Sequence, residues 1–212
     1  MRNTIGAALL FAAGTIAFSS CTKDPLNNIN EEESRVYITN HDSTVNFSSY
    51  KTYSLADSVS LIDNGRFAGR ESTSWDVQAT SAIAAGLNAR GYTRVARTAN
   101  PDLGINVSRV YNTTTNVVNL GDYYGGYGGY YDPYYWGYSG YGYNFPSSYG
   151  YYQSTEALLS VDVLDLKNAA TAGKIKGVWS GVVRGEGVFR SSNIQTQVQA
   201  LFDQSPYLKT TR

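Results

Sequence analysis

The sequence predicts an α+β domain, in which a mostly antiparallel β-sheet carries two α-helices packed on one face and a Tyr/Gly-rich insertion interrupts the strands. Segments 102–118 and 156–166 alternate apolar and polar residues, which is the two-residue period of a strand. Segments 73–90 and 192–205 instead repeat apolar residues every three or four positions, as helices do. The resulting order, β–β–α–β–β–β–β–α, favours neighbouring antiparallel strands with both helices on the same side. The insertion occupies residues 121–154.

The first half of the domain contains a strand region and the clearest helix. Strands are expected at residues 36–38 and 45–55, where β-branched and aromatic residues are frequent. The helix begins at Thr73, which has capping-box spacing with Asp76, and Gly91 suits the left-handed position just past its end. Its apolar stripe comprises Trp75, Ala79, Ala82, Ile83, Gly86 and Leu87.

The middle strands alternate so regularly that one face of the sheet is expected to be buried and the other solvated. In segment 102–118 the inward residues are Leu103, Ile105 and Val107. Asp162 occupies a polar position of segment 156–166 and Asp165 precedes a turn, so both carboxylates are expected to face solvent. A short strand is also expected at residues 92–96.

The last part of the chain predicts a strand hairpin and a second helix. Residues 156–166 and 174–184 form the hairpin, with Ile175, Trp179 and Val183 on one face. The helix begins with a capping box formed by Ser192 and Gln195 and ends before Pro206. Its apolar stripe comprises Ile194, Val198, Leu201 and Phe202.

The amino terminus has the three parts of a bacterial secretory signal. Arg2 precedes an apolar run at residues 5–18, which is shorter than the roughly 20 residues that span a bilayer as a helix. The sequence Phe-Ser-Ser-Cys at 18–21 resembles a lipobox, in which the cysteine is lipidated and becomes the first residue. The alternative is an ordinary signal peptide followed by an incidental cysteine. The sequence therefore predicts a lipid anchor on Cys21.

This interpretation divides the chain into a signal peptide at residues 1–20, a polar tether at 21–35 and one domain at 36–212. Lipidation of Cys21 leaves the mature chain without a thiol, which excludes disulfides and thiolate metal sites. Removal of Arg2 leaves 16 basic and 17 acidic residues, a balance that argues against a nucleic-acid partner. The expected location is the outer membrane, at its periplasmic face or the cell surface.

Several motifs resemble, in the same order, those of the lipoproteins that carry domain of unknown function 4136. They are Phe47-Ser48-Ser49-Tyr50-Lys51-Thr52-Tyr53, Leu87-Asn88-Ala89-Arg90-Gly91-Tyr92, Pro101-Asp102-Leu103, Leu159-Ser160-Val161-Asp162-Val163-Leu164-Asp165 and Val178-Trp179-Ser180-Gly181. With the final helix and its proline, the resemblance covers nearly all of residues 45–208. It implies an envelope lipoprotein with an α+β domain, and it implies no particular activity.

The residue types offer no convincing catalytic or metal-binding set, and no cofactor is expected. His41, the sole histidine, lies beside an aspartate and a serine. A Ser-His-Asp triad is defined by spatial geometry, so an exposed loop histidine is the favoured interpretation. Asp102 could join Asp162 and Asp165 around a hard cation, although solvated positions explain the last two carboxylates.

The insertion concentrates 13 of the 19 tyrosines and contains no lysine or arginine. Three interpretations stay open: a low-complexity loop without a ligand, an aromatic contact surface for protein or sugar, and self-association. Nucleic acid is not expected, because the basic groove that it needs is missing. The candidate contact residues are Tyr123, Tyr124, Tyr127, Tyr130, Tyr131, Tyr134, Tyr135, Trp136 and Tyr138.

Two functions follow from these observations. The first is a non-enzymatic envelope scaffold or binding module whose insertion contacts protein or cell-wall glycan. The alternative is a small-ligand-binding protein or hydrolase with a pocket near His41 and Asp102. Separately, Ser43 and Ser58 lie in short Asp-Ser-Thr and Asp-Ser-Val sequences that resemble a bacterial O-glycosylation sequon.

Overall fold

A mixed, mostly antiparallel sheet of nine strands forms the centre of the computed structural model, which describes residues 33–64, 66–111, 116–119, 133–145, 151–154 and 157–210. Two further strands pair with each other apart from it. In chain order the strands are β1 Val36–His41, β2 Thr52–Leu55, β3 Val59–Asp63, β4 Arg66–Glu71, β5 Thr93–Arg94, β6 Leu103–Tyr111, β7 Asn116–Asn119, β8 Gly142–Asn144, β9 Tyr151–Ser154, β10 Leu158–Asp165 and β11 Lys174–Arg184. The helices are α1 Ser74–Ala89, α2 Ala169–Ala172 and α3 Ile194–Asp203.

The main sheet has the order β1-β11-β10-β6-β2-β5, and the three long pairings from β1 to β6 are antiparallel. β2 and β3 run parallel to β6 and lie end to end along it, so that together they act as one interrupted strand. β4 forms a hairpin with β3 outside this strand, and β8 extends the β1 edge by pairing with β11. The predicted fold class is confirmed. No helix in the described part of the chain is long and apolar enough to cross a membrane.

Helices α1 and α3 pack on the same face of the sheet, as expected. Thr73 and Asp76 form the predicted capping box of α1, and Gly91 has the left-handed φ of 90° that ends it. A Cβ on Gly86 would lie 2.2 Å from Cε2 of Phe202, so α1 and α3 approach each other where α1 has no side chain. The predicted apolar stripes of both helices are buried in one cluster with the sheet.

Asp76 also anchors α1 to the sheet electrostatically. Its carboxylate accepts hydrogen bonds from the backbone N–H and hydroxyl of Thr73, at 2.7 and 2.8 Å. Oδ1 of Asp76 lies 3.0 Å from Nε of Arg109, close enough for an ion pair but not aligned for a hydrogen bond along that line. Glu71 pairs with the same guanidinium from the more exposed side. A buried carboxylate therefore caps the helix and neutralises a nearly buried arginine.

Three local expectations were wrong. Residues 45–50 contain a 3-10 turn at Phe47–Ser49 in place of continuous strand, because Asn46 caps that turn by accepting from the Ser48 backbone. Helix α3 follows Asn193 without a side-chain cap, so the Ser192–Gln195 capping box is absent. A register shift between β10 and β11 near Val163 turns Ile175 away from the helices, into a second apolar cluster on the other face.

The face of the sheet opposite the helices is polar but buried, contrary to the expectation of a solvated face. Cross-strand register places Asn106, Asp162 and Ser180 side by side, and all three are fully buried. Asp165, at the end of β10, is buried too. The alternation of apolar and polar residues correctly predicted which side chains share a face of the sheet. It did not predict their solvent exposure, because both faces of the central strands are covered. We call the buried polar residues of this face the polar face: Ser54, Ser60, Asn106, Ser108, Ser160, Asp162 and Ser180.

Candidate functional site

The longer described part of the predicted insertion, residues 133–145, packs against one end of the sheet. Trp136 is only 5% exposed and lies over Gly104, where a Cβ would be 3.2 Å from the indole ring. The Tyr138 hydroxyl donates a 2.8 Å hydrogen bond to the carbonyl oxygen of Leu166. Phe145 covers Gly177 in the same way, so β6 and β11 provide glycines where aromatic rings need room. The rings join an apolar cluster with Leu164, Leu166, Ala169 and Ile175.

This packing sorts the predicted contact residues. Trp136 is buried and is therefore excluded from an exposed contact surface, while Tyr138 is half-buried. Tyr134 is 69% exposed, and Tyr135 stands edge-on to the Trp136 ring at a centroid distance of 4.8 Å. The remaining candidates lie outside the described residues: Tyr123, Tyr124, Tyr127, Tyr130 and Tyr131.

Tyr135 forms one wall of a cleft of about 440 Å³ between the aromatic cluster and the edge of the sheet. The guanidinium groups of Arg70 and Arg97 lie 4.8 and 4.7 Å from the centre of its ring. Arg97 also donates a hydrogen bond to the Tyr135 backbone carbonyl. We call this the arginine–tyrosine cleft, and its lining residues are Ser54, Leu55, Asp57, Arg94, Val95, Ala96, Arg97 and Tyr135.

The arginines reach the cleft from edge elements that sequence reasoning did not connect. Arg70 lies on β4, which was not predicted, and Arg94 lies on the two-residue strand β5. Arg97 begins the 3-10 turn that follows β5. Only the spacing of Arg94 and Arg97 was visible in the sequence, and nothing local indicates that Tyr135, nearly forty residues later, meets them.

A second cleft, of about 360 Å³ and lined largely by polar side chains, lies beside Tyr50 and the turn after β10. Burial raises the pKa of Tyr50 far above its usual range, and the neighbouring Asp165 carboxylate raises it further. Lys176 lines the cleft and forms an ion pair with Asp42. Burial alone would raise the pKa of Asp42, but hydrogen bonds from Lys176 and Thr44 outweigh it and lower that pKa to about 2. The cleft thus combines a neutral phenol with a paired lysine.

The residues named for a small-ligand pocket, His41 and Asp102, have structural contacts. The His41 ring stacks on Tyr207 with centroids 3.9 Å apart. The Asp102 carboxylate accepts from the backbone N–H groups of Lys51 and Thr52, at 2.6 and 3.2 Å, and so fixes the start of β2. Neither residue lines the polar cleft beside Tyr50.

The remaining predicted site residues are those for O-glycosylation, metal binding and lipidation. Ser43 is exposed and Ser58 is half-buried, each in a turn between strands. Asp162 and Asp165 do not gather with Asp102 around a cation: in the part of the chain that the structure describes, no three His, Cys, Asp or Glu side chains are grouped to hold a metal. Cys21 lies outside the described residues.

Comparison with solved structures supports the fold. The crystal structure of a DUF4136 family protein from Bacteroides thetaiotaomicron is 26% identical, with a TM-score of 0.66, and the match covers 84% of this chain and 99% of that one. PelC from Paraburkholderia phytofirmans, crystallised as a dodecamer, is 14% identical over 84% of this chain and 99% of its own, with a TM-score of 0.39. A PDZ domain protein from Parabacteroides distasonis is also 14% identical, covering 87% of this chain and 42% of its own, with a TM-score of 0.45. The last two similarities are too low to carry an argument.

The family assignment rests on the sequence as well. No curated protein matches the chain. Residues 38–207 match the family described as Domain of unknown function (DUF4136), and this range includes all three helices and the whole main sheet except the first two residues of β1. The chain therefore belongs to the DUF4136 family.

Proposed function

We propose that this chain is a lipid-anchored, non-enzymatic binding module of the bacterial outer membrane, and that its Tyr/Gly-rich segment contacts cell-wall glycan. The anchor is inferred from Arg2, the short apolar run and Cys21, which together have the organisation of a lipoprotein signal. Several acyl chains on one cysteine would hold the domain firmly, since each buried CH₂ contributes about 0.8 kcal/mol.

One observation carries the binding proposal: Trp136 fixes residues 133–145 to the sheet while Tyr134 and Tyr135 remain at the surface beside a cleft. A tyrosine ring offers an apolar face together with a hydroxyl, which suits the face and hydroxyl groups of a sugar. Rings that are already held in place lose little conformational freedom on binding. The packed segment therefore supports a preformed contact surface better than a loop without a ligand.

The polar cleft beside Tyr50 gives the small-ligand alternative its remaining support. It lies near the end of β10, and it is lined by hydrogen-bonding groups including Asn46, Asn168 and Lys174. His41 and Asp102 would act there only by positioning the neighbouring backbone. Binding of small ligands that is lost on Lys174→Gln and unaffected by changes at Tyr135 would favour this alternative.

Co-sedimentation with purified cell-wall sacculi tests the glycan proposal. Deleting the whole insertion is unsuitable, because it removes Trp136 from an apolar cluster and would disturb the fold. We instead compare the full chain in detergent with the double variant Tyr134→Ala, Tyr135→Ala, which removes only the outer rings. Phe67→Ala is the matched control, since Phe67 is an exposed aromatic residue on β4. We expect the double variant alone to remain in solution; equal pelleting of all three proteins would refute the proposal.

Metabolic labelling with a palmitate analogue tests the anchor separately. We expect the label on the native chain and none on Cys21→Ser, which should also leave the membrane fraction. Membrane association that survives this substitution would refute lipid anchoring at Cys21.

A further inference from the structure

The arginine–tyrosine cleft carries positive charge that its described surroundings do not neutralise. Arg94 and Arg97 line the cleft, and Arg70 lies against the ring of Tyr135, which forms one wall, whereas the whole chain has equal numbers of basic and acidic residues, 17 of each. Among the described residues, Asp57 is the one acidic residue that lines the cleft, and it lies 4.0 Å from Arg94 with its side chain 93% exposed. An exposed pair at that distance is weak, so it offsets little of the charge.

Two of the three guanidinium groups lack a carboxylate partner among the described residues. Arg70 and Arg97 both lie against the Tyr135 ring, whose π face attracts cations. Two like charges held at one ring repel each other, and the repulsion grows as water is removed from the cleft. Elsewhere in the described chain, Arg109 meets Glu71 and Asp76, and Lys176 meets Asp42. In the cleft, an anion would therefore meet guanidinium charge that no described carboxylate neutralises.

We propose that the arginine–tyrosine cleft binds the acidic group of an acidic sugar, with the carboxylate on the guanidinium groups and the sugar ring beside Tyr135. This inference rests on the proposed glycan-binding function and names the class of glycan. Guanidinium groups bind planar carboxylates through two parallel hydrogen bonds, which fixes orientation as well as affinity. The cleft volume of about 440 Å³ falls within the range of about 300–1,000 Å³ that is usual for small-ligand sites.

The described contacts that hold the arginines in place leave most of their positive charge unneutralised and most of their N–H donors free to bind a ligand. The hydrogen bond from Arg97 to the Tyr135 carbonyl occupies one of five N–H donors, and stacking on the ring leaves the guanidinium edge available. Arg94 adds a half-exposed guanidinium from the strand edge. Ser54, at the buried end of the cleft, supplies a hydroxyl that can bond a sugar oxygen.

Isothermal titration calorimetry on the full chain in nonionic detergent tests the inference with three probes: tri-galacturonate, its neutral methyl ester and inorganic phosphate. We expect tri-galacturonate to bind at least tenfold more tightly than either other probe. Arg70→Gln and Arg97→Gln should each weaken it by about 10- to 100-fold, the usual loss for a hydrogen bond to a charged group. Lys174→Gln, which removes a positive charge from the other cleft, should leave binding unchanged. Far-UV circular dichroism confirms that each variant is folded.

Three outcomes overturn the inference in different ways. Equal binding of the acid and its ester, insensitive to both arginine substitutions, removes the role of charge but leaves glycan binding intact. Phosphate that binds as tightly as tri-galacturonate shows a general anion site and no sugar specificity. If no probe binds while the native chain still pellets with sacculi, the glycan contact lies elsewhere and the cleft is not its site. If the native chain neither binds any probe nor pellets with sacculi, the proposed function itself is refuted.

Discussion

Replacing Trp136 with alanine should lower the free energy of unfolding by about 3 kcal/mol, although the residue lies in a stretch dominated by tyrosine and glycine. The reason is its burial: the indole fills the space above Gly104 and contacts the apolar cluster with Leu164 and Ile175. Removing a buried tryptophan from a core costs about 3–5 kcal/mol. A low-complexity loop without tertiary contacts would lose almost nothing.

The lower end of that range applies because the Trp136 site is imperfect. Nε1 of the indole is buried and has no hydrogen-bond partner among the described residues. An unpartnered buried donor costs about 1–3 kcal/mol, so its removal returns part of the lost packing energy. The same reasoning predicts that Trp136→Phe, which keeps an aromatic ring and deletes the N–H, changes stability by less than about 1.5 kcal/mol.

Urea denaturation followed by far-UV circular dichroism measures both changes without relying on tryptophan fluorescence. Tyr134→Ala is the control, because Tyr134 and Trp136 lie in one 3-10 turn, Pro133–Trp136, and the exposed ring of Tyr134 predicts a change within about 0.5 kcal/mol. A loss below about 1 kcal/mol for Trp136→Ala would refute the packed arrangement of residues 133–145. The proposed contact surface of Tyr134 and Tyr135 and the arginine–tyrosine cleft would then lose their structural basis.

Three further changes test other parts of the fold by urea denaturation. Asp76→Asn should cost about 3 kcal/mol, the low end for breaking a buried ion pair, because Arg109 loses its buried partner. Gly86→Ala should cost about 1–3 kcal/mol, since the new methyl group would lie 2.2 Å from Cε2 of Phe202. Asp42→Asn should cost about 1–2 kcal/mol at pH 7, because the folded state lowers the pKa of Asp42 from 3.8 to about 2. That stability is present above about pH 4 and is lost as the pH falls through about 2, so the variant should match the native chain there.

Matched substitutions separate these effects from general disturbance. Ser81→Ala on the exposed side of α1 should be nearly neutral, as should Asp57→Asn, whose side chain is 93% exposed. Glu71→Gln, at the more exposed end of the Arg109 pair, should cost less than about 1 kcal/mol. If Glu71→Gln lowers the free energy of unfolding as much as Asp76→Asn does, burial does not decide how strongly each carboxylate stabilises its pair with Arg109. A constant effect of Asp42→Asn from pH 7 to pH 2 would contradict the proposed ion-pair linkage.

Local signals predicted the parts of the fold in which the deciding interactions are themselves local. Thr73 and Asp76 are three residues apart and cap their own helix, and Gly91 ends it through its own backbone conformation. The bounds of β11 could be predicted for the same reason, because Gly173 with its φ of 65° marks where the chain turns into it.

The β3–β4 hairpin was missed although its turn is signalled in the sequence. Asn64 is followed by glycine between two short apolar stretches, which is a strong hairpin signal, and its φ of 46° has the left-handed value that such turns require. The arginine–tyrosine cleft has no comparable signal, because Arg70, Arg97 and Tyr135 meet only through tertiary packing. Missing the hairpin also hid the strand that brings Arg70 to the cleft.

The two faces of the sheet differ in the polarity of their buried side chains. The face under α1 and α3 is lined by apolar side chains in one continuous cluster. On the opposite face, both polar atoms of Asn106 and the hydroxyl of Ser180 are buried without a hydrogen-bond partner among the described residues. Each such group costs about 1–3 kcal/mol, which apolar residues at those positions would avoid. This cost lies on the face that also holds Ser54 and the aromatic cluster beside the cleft. Since natural sequences depart from the most stable choice chiefly where function requires it, the unfavourable polar face and the charged cleft support the same conclusion. The proposed ligand contact lies on this face, and helices α1 and α3 cover the other.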